Sequence, residues 1–153
     1  MGHHTPNMIK ANSLQALLSG QIRSFTTGRL EWVAKPNSST GEIYAVLAVQ
    51  GCRNGRLIMN HRLLIPFRPT FSFVVNDVPA YRVCVNDDTN GVQGTHSHRY
   101  IPSTGGETPH SLSNSFLMIK DRSRPTNAQL KAAFEEFSEL VNVDLNDEYW
   151  VDP

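Results

Sequence analysis

Two histidines, His96 and His98, lie two residues apart, and their type and spacing could support chemistry. On a β-strand alternate side chains point to the same face. Both imidazoles and Tyr100 would then share one face, with Arg99 on the other. Imidazoles placed in this way can bind one metal ion, or can act as a base and an acid in proton transfer. The same spacing also occurs on strands that simply face solvent, so the pair is a candidate site with more than one interpretation.

The pair needs further groups to form a working site. A metal centre needs a third ligand, for which His110, Asp87 and Asp88 are candidates. Without a metal, a cation would have to neutralise a phosphate. Arg82 or Arg99 could do so, unless each is an ordinary solvent-facing strand residue. No metal-binding signature is present, so the metal and any cofactor stay unassigned. The candidate catalytic residues are His96, His98, Tyr100, Arg82 and Arg99.

The two cysteines favour a reducing compartment, because they are too few for a disulfide scaffold or a cysteine-rich zinc site. Cys84 follows the alternation of an apolar strand, which predicts a small buried hydrophobic side chain. Cys52 lies in a Gly-Cys-Arg-Asn-Gly turn, which predicts an exposed thiol. The chain start lacks a basic segment followed by an apolar stretch, and no apolar run is long enough to span a membrane. We therefore expect a cytoplasmic protein without a membrane partner.

The formal net charge is zero, but the charges are unevenly distributed. Residues 132–153 contain seven acids and no lysine or arginine. The preceding 131 residues therefore hold seven acids and all 14 basic residues, a net charge of +7. Ten of the 14 are arginines, whose planar guanidinium suits bidentate contacts with phosphate. Such a split is informative about partners and not about the fold.

Four arginines surround one predicted hairpin and could form a basic face. Nearby aromatic side chains could stack on nucleic-acid bases. Alternatively, the arginines could be solvated while the aromatic rings occupy the core. RNA or DNA bound through this arginine-rich body is one predicted partner, and a protein bound through an acidic tail, residues 142–153, is another. The arginines are Arg53, Arg56, Arg62 and Arg68, and the aromatic residues are Tyr44, Phe67 and Phe71.

The elements that must position these side chains are mostly strands. Apolar and β-branched residues alternate with polar ones over much of residues 22–120, and turn residues such as Asn54-Gly55 separate the runs. Short turns between successive strands favour an antiparallel sheet of about six strands that curls and could form a half-barrel. The predicted strands are 30–34, 42–50, 56–65, 70–75, 81–85 and 95–101, followed by an irregular loop at 102–114 and a further short strand at 115–120.

One amphipathic helix closes the predicted fold. Thr126 is a good N-cap, and Gln129 follows at the spacing of a capping box. Apolar residues then recur on one helical stripe, and apolar residues in the acidic tail should fold it back onto the body. The predicted class is therefore α+β. We expect a single domain, 1–153, with an N-terminal arm and short helix at 1–20, a β-rich body at 22–120, the helix at 126–141 and the acidic tail at 142–153.

Two segments of the C-terminal half carry a recognisable pattern. The first contains Tyr81-Arg82-Val83-Cys84-Val85-Asn86, an Asn-Gly loop and Gly94-Thr95-His96-Ser97-His98-Arg99-Tyr100. The second is Phe134-Glu135-Glu136-Phe137, ahead of a hydrophobic tail. Together they resemble a small uncharacterised family of bacterial proteins, whose sharpest motif is the His-x-His-Arg segment. The resemblance implies a bacterial or phage origin and no activity.

The sequence contains no P-loop, dinucleotide-binding fingerprint, nucleophile elbow or catalytic triad signature. One hypothesis is a small bacterial or phage protein that is linked to nucleic acid. If it is an enzyme, it would be a toxin-like nuclease that uses the histidine pair. Another is a non-catalytic protein- or nucleic-acid-binding module of a mobile-element or phage-defence system. A third is a structural or assembly protein. The sequence does not decide whether the protein is an enzyme.

Overall fold

The computed structural model describes residues 9–89 and 91–153; the first eight residues of the predicted N-terminal arm, and Asn90, lie outside these ranges. No helix in the described ranges is both long and apolar enough to cross a membrane. The helices are α1 (Ala11–Leu18) and α2 (Asn127–Leu140). The strands are β1 (Ser24–Lys35), β2 (Ser38–Val46), β3 (Gly55–Arg62), β4 (Thr70–Val75), β5 (Val78–Cys84), β6 (His96–Tyr100), β7 (Glu107–Ser111) and β8 (Val143–Asp144).

The eight strands form one curled sheet, a half-barrel, in the order β7-β6-β5-β4-β3-β2-β1-β8. Neighbouring strands are antiparallel except β1 and β8, which run parallel. The predicted α+β class, curled sheet and C-terminal helix are confirmed. The expectation of about six strands in a purely antiparallel sheet is wrong, because the sheet has eight strands and is mixed.

The two strands that the sequence did not reveal lie at the edges of the sheet. β7 crosses the segment that was predicted to be an irregular loop, and all five of its residues are exposed. It contains Pro109, which an edge strand tolerates because its outer side needs no hydrogen-bond donor. β8 is only two residues long. Backbone pairing with one neighbour creates both strands, so neither carries an apolar alternation.

The segment 115–120 forms turns instead of the predicted short strand. Phe116 has a φ of 59°, in the left-handed region that an extended strand never uses. Its ring stacks on Phe71 with a centroid distance of 5.6 Å, and Ile119 is also buried. The apolar residues of this segment therefore fill the core from a turn.

Helix α2 covers one face of the sheet, which we call the core face. The ring of Phe137 stacks on that of Phe71 in β4 at 5.4 Å, and the ring of Phe134 lies 6.4 Å from Phe71. All three side chains are fully buried, and such burial stabilises a protein by about 1.5–3 kcal/mol per side chain. Thr126 and Gln129 form the predicted capping box at the start of the helix.

The acidic tail folds back onto the body, as its apolar residues predicted. Tyr149 is 5% exposed and stacks on Phe134 at 5.8 Å. The indole N–H of Trp32 donates to the carbonyl of Val151 (2.6 Å), and the backbone N–H of Leu30 donates to that of Tyr149 (2.8 Å). The four acids of the tail are exposed. The tail is thus part of the folded body, placed by its apolar side chains.

We expect Tyr149→Ala to lower the free energy of unfolding by about 3–5 kcal/mol, because it removes a buried ring and leaves a cavity. Tyr149→Phe keeps the ring and should cost less than about 1.5 kcal/mol. Urea unfolding followed by circular dichroism measures both values. A cost for Tyr149→Ala within about 0.5 kcal/mol of zero, as at an ordinary surface position, would show that the tail does not stabilise the core.

Candidate metal centre

The pairing of β5 with β6 determines which side chains meet. Cys84 lies directly opposite His96, and Arg82 lies directly opposite His98. Val83, between Cys84 and Arg82, is fully buried on the core face. Because side chains alternate along a strand, the other four residues point to the opposite side, which we call the outer face.

Three side chains that can bind a metal ion converge on the outer face. The Nε2 atoms of His96 and His98 are 3.0 Å apart. One ring nitrogen of each histidine and the Sγ of Cys84 all lie within 4.8 Å of one another. Cys84 and His96 are buried, with 7% and 2% exposure, and His98 is half-buried. The cluster is therefore enclosed by protein at Cys84 and His96 and reaches solvent at His98.

Backbone carbonyls orient the ring of His96. Its Nδ1 atom lies 2.8 Å from the carbonyl oxygen of Asp87 and 2.9 Å from that of Gly94. A carbonyl oxygen can only accept a hydrogen bond, so Nδ1 carries the hydrogen. In the neutral ring the lone pair is then on Nε2, which faces His98. His96 is thus held in the tautomer and orientation that a metal ligand requires.

The loop between β5 and β6 supplies both carbonyls, and side-chain hydrogen bonds hold its two ends. The side-chain amide of Asn86 donates to the carbonyls of Phe67 (2.9 Å) and Ile119 (3.0 Å). Asn86 has a φ of 53°, which asparagine tolerates better than most residues. At the other end the N–H of Gly94 donates to the carboxylate of Asp88 (2.6 Å). The position of His96 therefore depends on a loop that Asn86 ties to two other parts of the chain and that Asp88 braces internally.

Burial alters the protonation of the cluster. It raises the pKa of the Cys84 thiol, and the positive charges of Arg82 and Arg62 oppose this shift only in part. Burial is also the main cause that lowers the pKa of His98, followed by the charge of Arg82. At neutral pH the thiol and the His98 imidazole are therefore both uncharged. A metal ion that bound here would displace the thiol proton.

The spacing of the cluster suits one ion. Zn–N bonds of about 2.0–2.1 Å and Zn–S bonds of about 2.3 Å place tetrahedral ligand atoms roughly 3.3–3.6 Å apart. The separation of 3.0 Å between the two Nε2 atoms is close to this range, and the Cys84 thiol lies within 4.8 Å of a ring nitrogen of each histidine. The same 3.0 Å leaves no room for a scissile group between an acid and a base. Metal binding fits the geometry better than paired acid–base catalysis.

Arg82 and Arg99 lie on opposite faces of the sheet. The guanidinium of Arg82 forms an ion pair on the outer face with Glu107 of β7 (3.2 Å). Arg99 points the other way and donates to the side-chain oxygen of Gln15 in α1 (3.0 Å). Tyr100, at the end of β6, packs against the hydrophobic core. Of the predicted catalytic set, the fold brings together His96, His98 and Arg82.

The residues that were suggested as a third ligand are used elsewhere. His110 is exposed and lies opposite Ser97, so alternation places it away from the outer face. Asp87 contributes only its carbonyl to the site, and its carboxylate lies 3.8 Å from Arg68. The carboxylate of Asp88 accepts a hydrogen bond from the loop backbone.

Cys84 is the third side chain that could bind a metal ion, in place of His110, Asp87 and Asp88. It is buried, as predicted, but it lies outside the hydrophobic core cluster. One signal in the sequence could have indicated this role: Cys84 is two residues from Arg82, so on a strand the thiol shares a face with a charged side chain. Its contact with His96 depends on strand register, which the sequence did not supply. The prediction that Cys52 is exposed is wrong: its turn packs inward, and Cys52 is 8% exposed and belongs to the core.

Two open grooves border the centre. One is lined by residues from 86–95 and 113–121, and the other by residues from 88–93 and Ser111. None of the three cluster side chains lines either groove. His98 is half-buried, and the cluster meets solvent on the outer face at this residue.

A scan against protein-family models finds no match for this chain, and searches of curated proteins and of solved structures find none either. The resemblance to a bacterial protein family therefore stays a prediction. Function is inferred from the geometry and chemistry of the outer face.

Lowering the pH below about 6.5 should destabilise the metal-free protein. Burial is the main cause that lowers the pKa of both His98 and His61 in the folded state. As the pH falls below about 6.5, the histidines of the unfolded state bind protons before those of the folded state, so the free energy of unfolding decreases. Above that pH these two histidines do not affect the free energy of unfolding. Urea unfolding between about pH 5.5 and 7.5, in the presence of a chelator, measures the effect.

Matched variants assign this pH dependence. His98→Gln should remove part of it, whereas His110→Gln, which replaces an exposed histidine, should leave it unchanged. An identical pH dependence in the wild type and in His98→Gln would mean that His98 has an ordinary pKa.

Proposed function

We propose that this protein binds one soft divalent transition-metal ion, of the zinc class, through Cys84 Sγ and the Nε2 atoms of His96 and His98. The observation that carries the proposal is the convergence of the Cys84 thiol with one ring nitrogen of each histidine, all within 4.8 Å, on one face of two paired strands. The tautomer of His96 supports it, because the hydrogen bonds at Nδ1 keep the lone pair on Nε2, where a metal ion would replace the hydrogen bond that the Nε2–H of His98 donates.

The donor set favours zinc over harder cations. One thiolate and two imidazoles suit zinc, cobalt and copper, whereas magnesium and calcium prefer oxygen ligands. Copper electron-transfer sites use the same three donors with a weak axial ligand added. Metal selectivity therefore distinguishes a zinc-type centre from a copper-type centre.

Three protein ligands leave one tetrahedral position for water. Catalytic zinc sites keep such a position, whereas structural sites fill all four with protein. The half-buried side chain of His98 makes this position accessible from the outer face. A zinc ion held by Cys84, His96 and His98 would supply an acidified water as a nucleophile, since zinc lowers the pKa of water to about 7. Hydrolysis is accordingly the chemistry that this centre supports best.

Under reducing conditions, we expect the wild-type protein to bind one equivalent of Zn²⁺ or Co²⁺ per chain. Removing even an outer partner of a ligand costs about 10–100-fold in metal affinity. Cys84→Ser and His98→Gln, which remove ligands, should therefore cost more than about 100-fold. Competition with a chromophoric chelator measures affinity, and the thiolate-to-Co²⁺ charge-transfer absorption reports the Cys84 bond directly.

Two controls isolate the cluster. Cys52→Ala removes the other cysteine, and His110→Gln removes an exposed histidine; both should keep the affinity and the charge-transfer absorption. Equal loss of affinity in Cys52→Ala and Cys84→Ser, or binding of much less than one equivalent, would contradict the proposed centre. Strong binding of copper alone, with intense visible absorption, would replace hydrolysis with electron transfer as its chemistry.

Nucleic-acid binding is a second candidate, as a nuclease or as a non-catalytic module. One observation favours it: Arg82 and His98 are cross-strand neighbours on the outer face, where both could contact a phosphate. The net charge of +7 on residues 1–131 also supports it. Hydrolysis at a metal centre would be compatible with the nuclease form.

Other features restrict the arginine-rich face that the sequence suggested. Phe71 is fully buried in the core and is unavailable for stacking, whereas Tyr44 is 64% exposed. Arg56 forms ion pairs with Glu42 and Asp77, which offset its charge. A protein partner for the acidic tail would have to contact its exposed acids, because the apolar residues of the tail pack against the body.

If the body binds nucleic acid, the affinity for a labelled single-stranded RNA should fall steeply between about 50 and 200 mM salt, because bound counterions are released. Arg62→Gln should reduce the slope of log affinity against log salt by about 1, the effect of losing one phosphate contact. Lys131→Gln on α2 is the matched control and should leave the slope unchanged. Fluorescence anisotropy measures binding. No binding at low salt would remove this candidate.

A further inference from the structure

We propose that the outer face binds the terminal phosphate group of a phosphate monoester at the open position of the metal centre, with Arg82 as the side chain that contacts its oxygen atoms. This inference rests on the proposed metal centre and names the class of ligand for it.

Arg82 is placed and oriented next to the centre. It lies directly opposite His98, two residue pairs along from Cys84 and His96 and therefore on the same face of the sheet. Its Nε and Nη2 atoms contact the two carboxylate oxygens of Glu107 at 3.2 and 3.3 Å. The side chains of Arg82 and Glu107 are 35% and 31% exposed. Glu107 thus fixes the guanidinium while leaving it open to solvent.

The guanidinium retains donors for a ligand. It has five N–H donors in a rigid fork, and the carboxylate of Glu107 uses only part of them. The remaining donors match the oxygen atoms of a phosphate, which they can contact in a bidentate manner. If one phosphate oxygen took the place of the metal-bound water, the remaining oxygens would therefore meet the N–H donors of Arg82 already in position.

A second cation, Arg62, lies on the same face. Asn60 pairs with Thr70, and Thr70 pairs in turn with Cys84, so these three side chains share the outer face. Arg62 is two residues after Asn60 on the same strand and therefore points to that face as well. Among the residues that the structure describes, no acid lies within salt-bridge distance of Arg62.

The local charge favours a dianion. The ion brings two positive charges, and the thiolate of Cys84 removes one. Arg82 is offset by its carboxylate partner and Arg68 by Asp87. Arg62 adds one positive charge and Asp88 of the loop removes one, so the charge around the open position stays positive. A phosphate monoester carries about −1.5 to −2 at neutral pH. A diester carries only about −1, so the monoester is the better electrostatic match.

Cobalt-loaded protein provides the test. The thiolate-to-Co²⁺ absorption is recorded first without added anion, and phenyl phosphate is then titrated while the visible d–d bands are followed. We expect a saturable spectral change. Affinity for phenyl phosphate should fall by at least about tenfold in Arg82→Gln, because a bidentate charge-assisted contact is lost, and by less in Arg82→Lys, which keeps the charge.

Arg53→Gln is the matched control. It removes the same charge from a turn whose backbone bonds to Asn76, at the far end of β5 from Cys84. Its affinity for phenyl phosphate should stay within about twofold of the wild type, as expected of a distant surface charge. The charge-transfer absorption of Arg82→Gln, recorded without anion, verifies that this variant is folded and loaded.

The outcomes separate the two proposals. Absence of the charge-transfer absorption in the anion-free wild type would overturn the metal centre itself. A normal absorption with no response to phenyl phosphate would overturn the phosphate ligand alone. Equal losses in Arg82→Gln and Arg53→Gln would assign the effect to overall charge and overturn the role of Arg82. A tighter response to dimethyl phosphate, acetate or inorganic phosphate than to phenyl phosphate would overturn the monoester as the ligand.

Discussion

The antiparallel register between β5 and β6 is the constraint on which the outer-face cluster depends. Successive side chains alternate between faces, so a slip of one residue would turn Cys84 away from His96. The same slip would move Val83 out of the core, where it is fully buried. Since burying such a side chain stabilises the fold by about 1.5–3 kcal/mol, the hydrophobic core holds the polar ligands in register. The metal-binding geometry is thus a consequence of packing on the opposite face.

Burying an imidazole and a thiol on that outer face has a cost, which the loop between β5 and β6 offsets. His96 is only 2% exposed, and a buried polar group without a hydrogen bond is destabilising. Two loop carbonyls satisfy its Nδ1 atom, while Asn86 and Asp88 hold the ends of the loop. The same hydrogen bonds that make burial tolerable also direct the Nε2 lone pair of His96 toward the Nε2 of His98, 3.0 Å away. Stability and ligand orientation are therefore supplied by one set of contacts.

The charge split along the chain has a different meaning in the folded protein than in the sequence. Asp144 of the acidic tail pairs with Arg23 at 2.6 Å, but the two side chains are 59% and 48% exposed. Exposed pairs of this kind contribute only about 0–1 kcal/mol. Burial of Tyr149 against Phe134 outweighs them and makes the tail a structural part of the body. The tail is therefore anchored by burial of its apolar side chains and not by the asymmetry of charge.

The sequence by itself determined the features that depend on neighbours along the chain. The capping box of Thr126 and Gln129, the apolar stripe of α2 and the alternation of the inner strands are local patterns, and they were sufficient for the α+β class and the curled sheet. Only the tertiary structure decided the edge strands β7 and β8, because pairing with one neighbour needs no apolar alternation. It also decided that Cys84, twelve residues before His96, joins the histidine pair. Strand alternation placed His96 and His98 on one face, but the residue opposite them depends on which strands meet and in what register. That choice is made by the packing of the whole core.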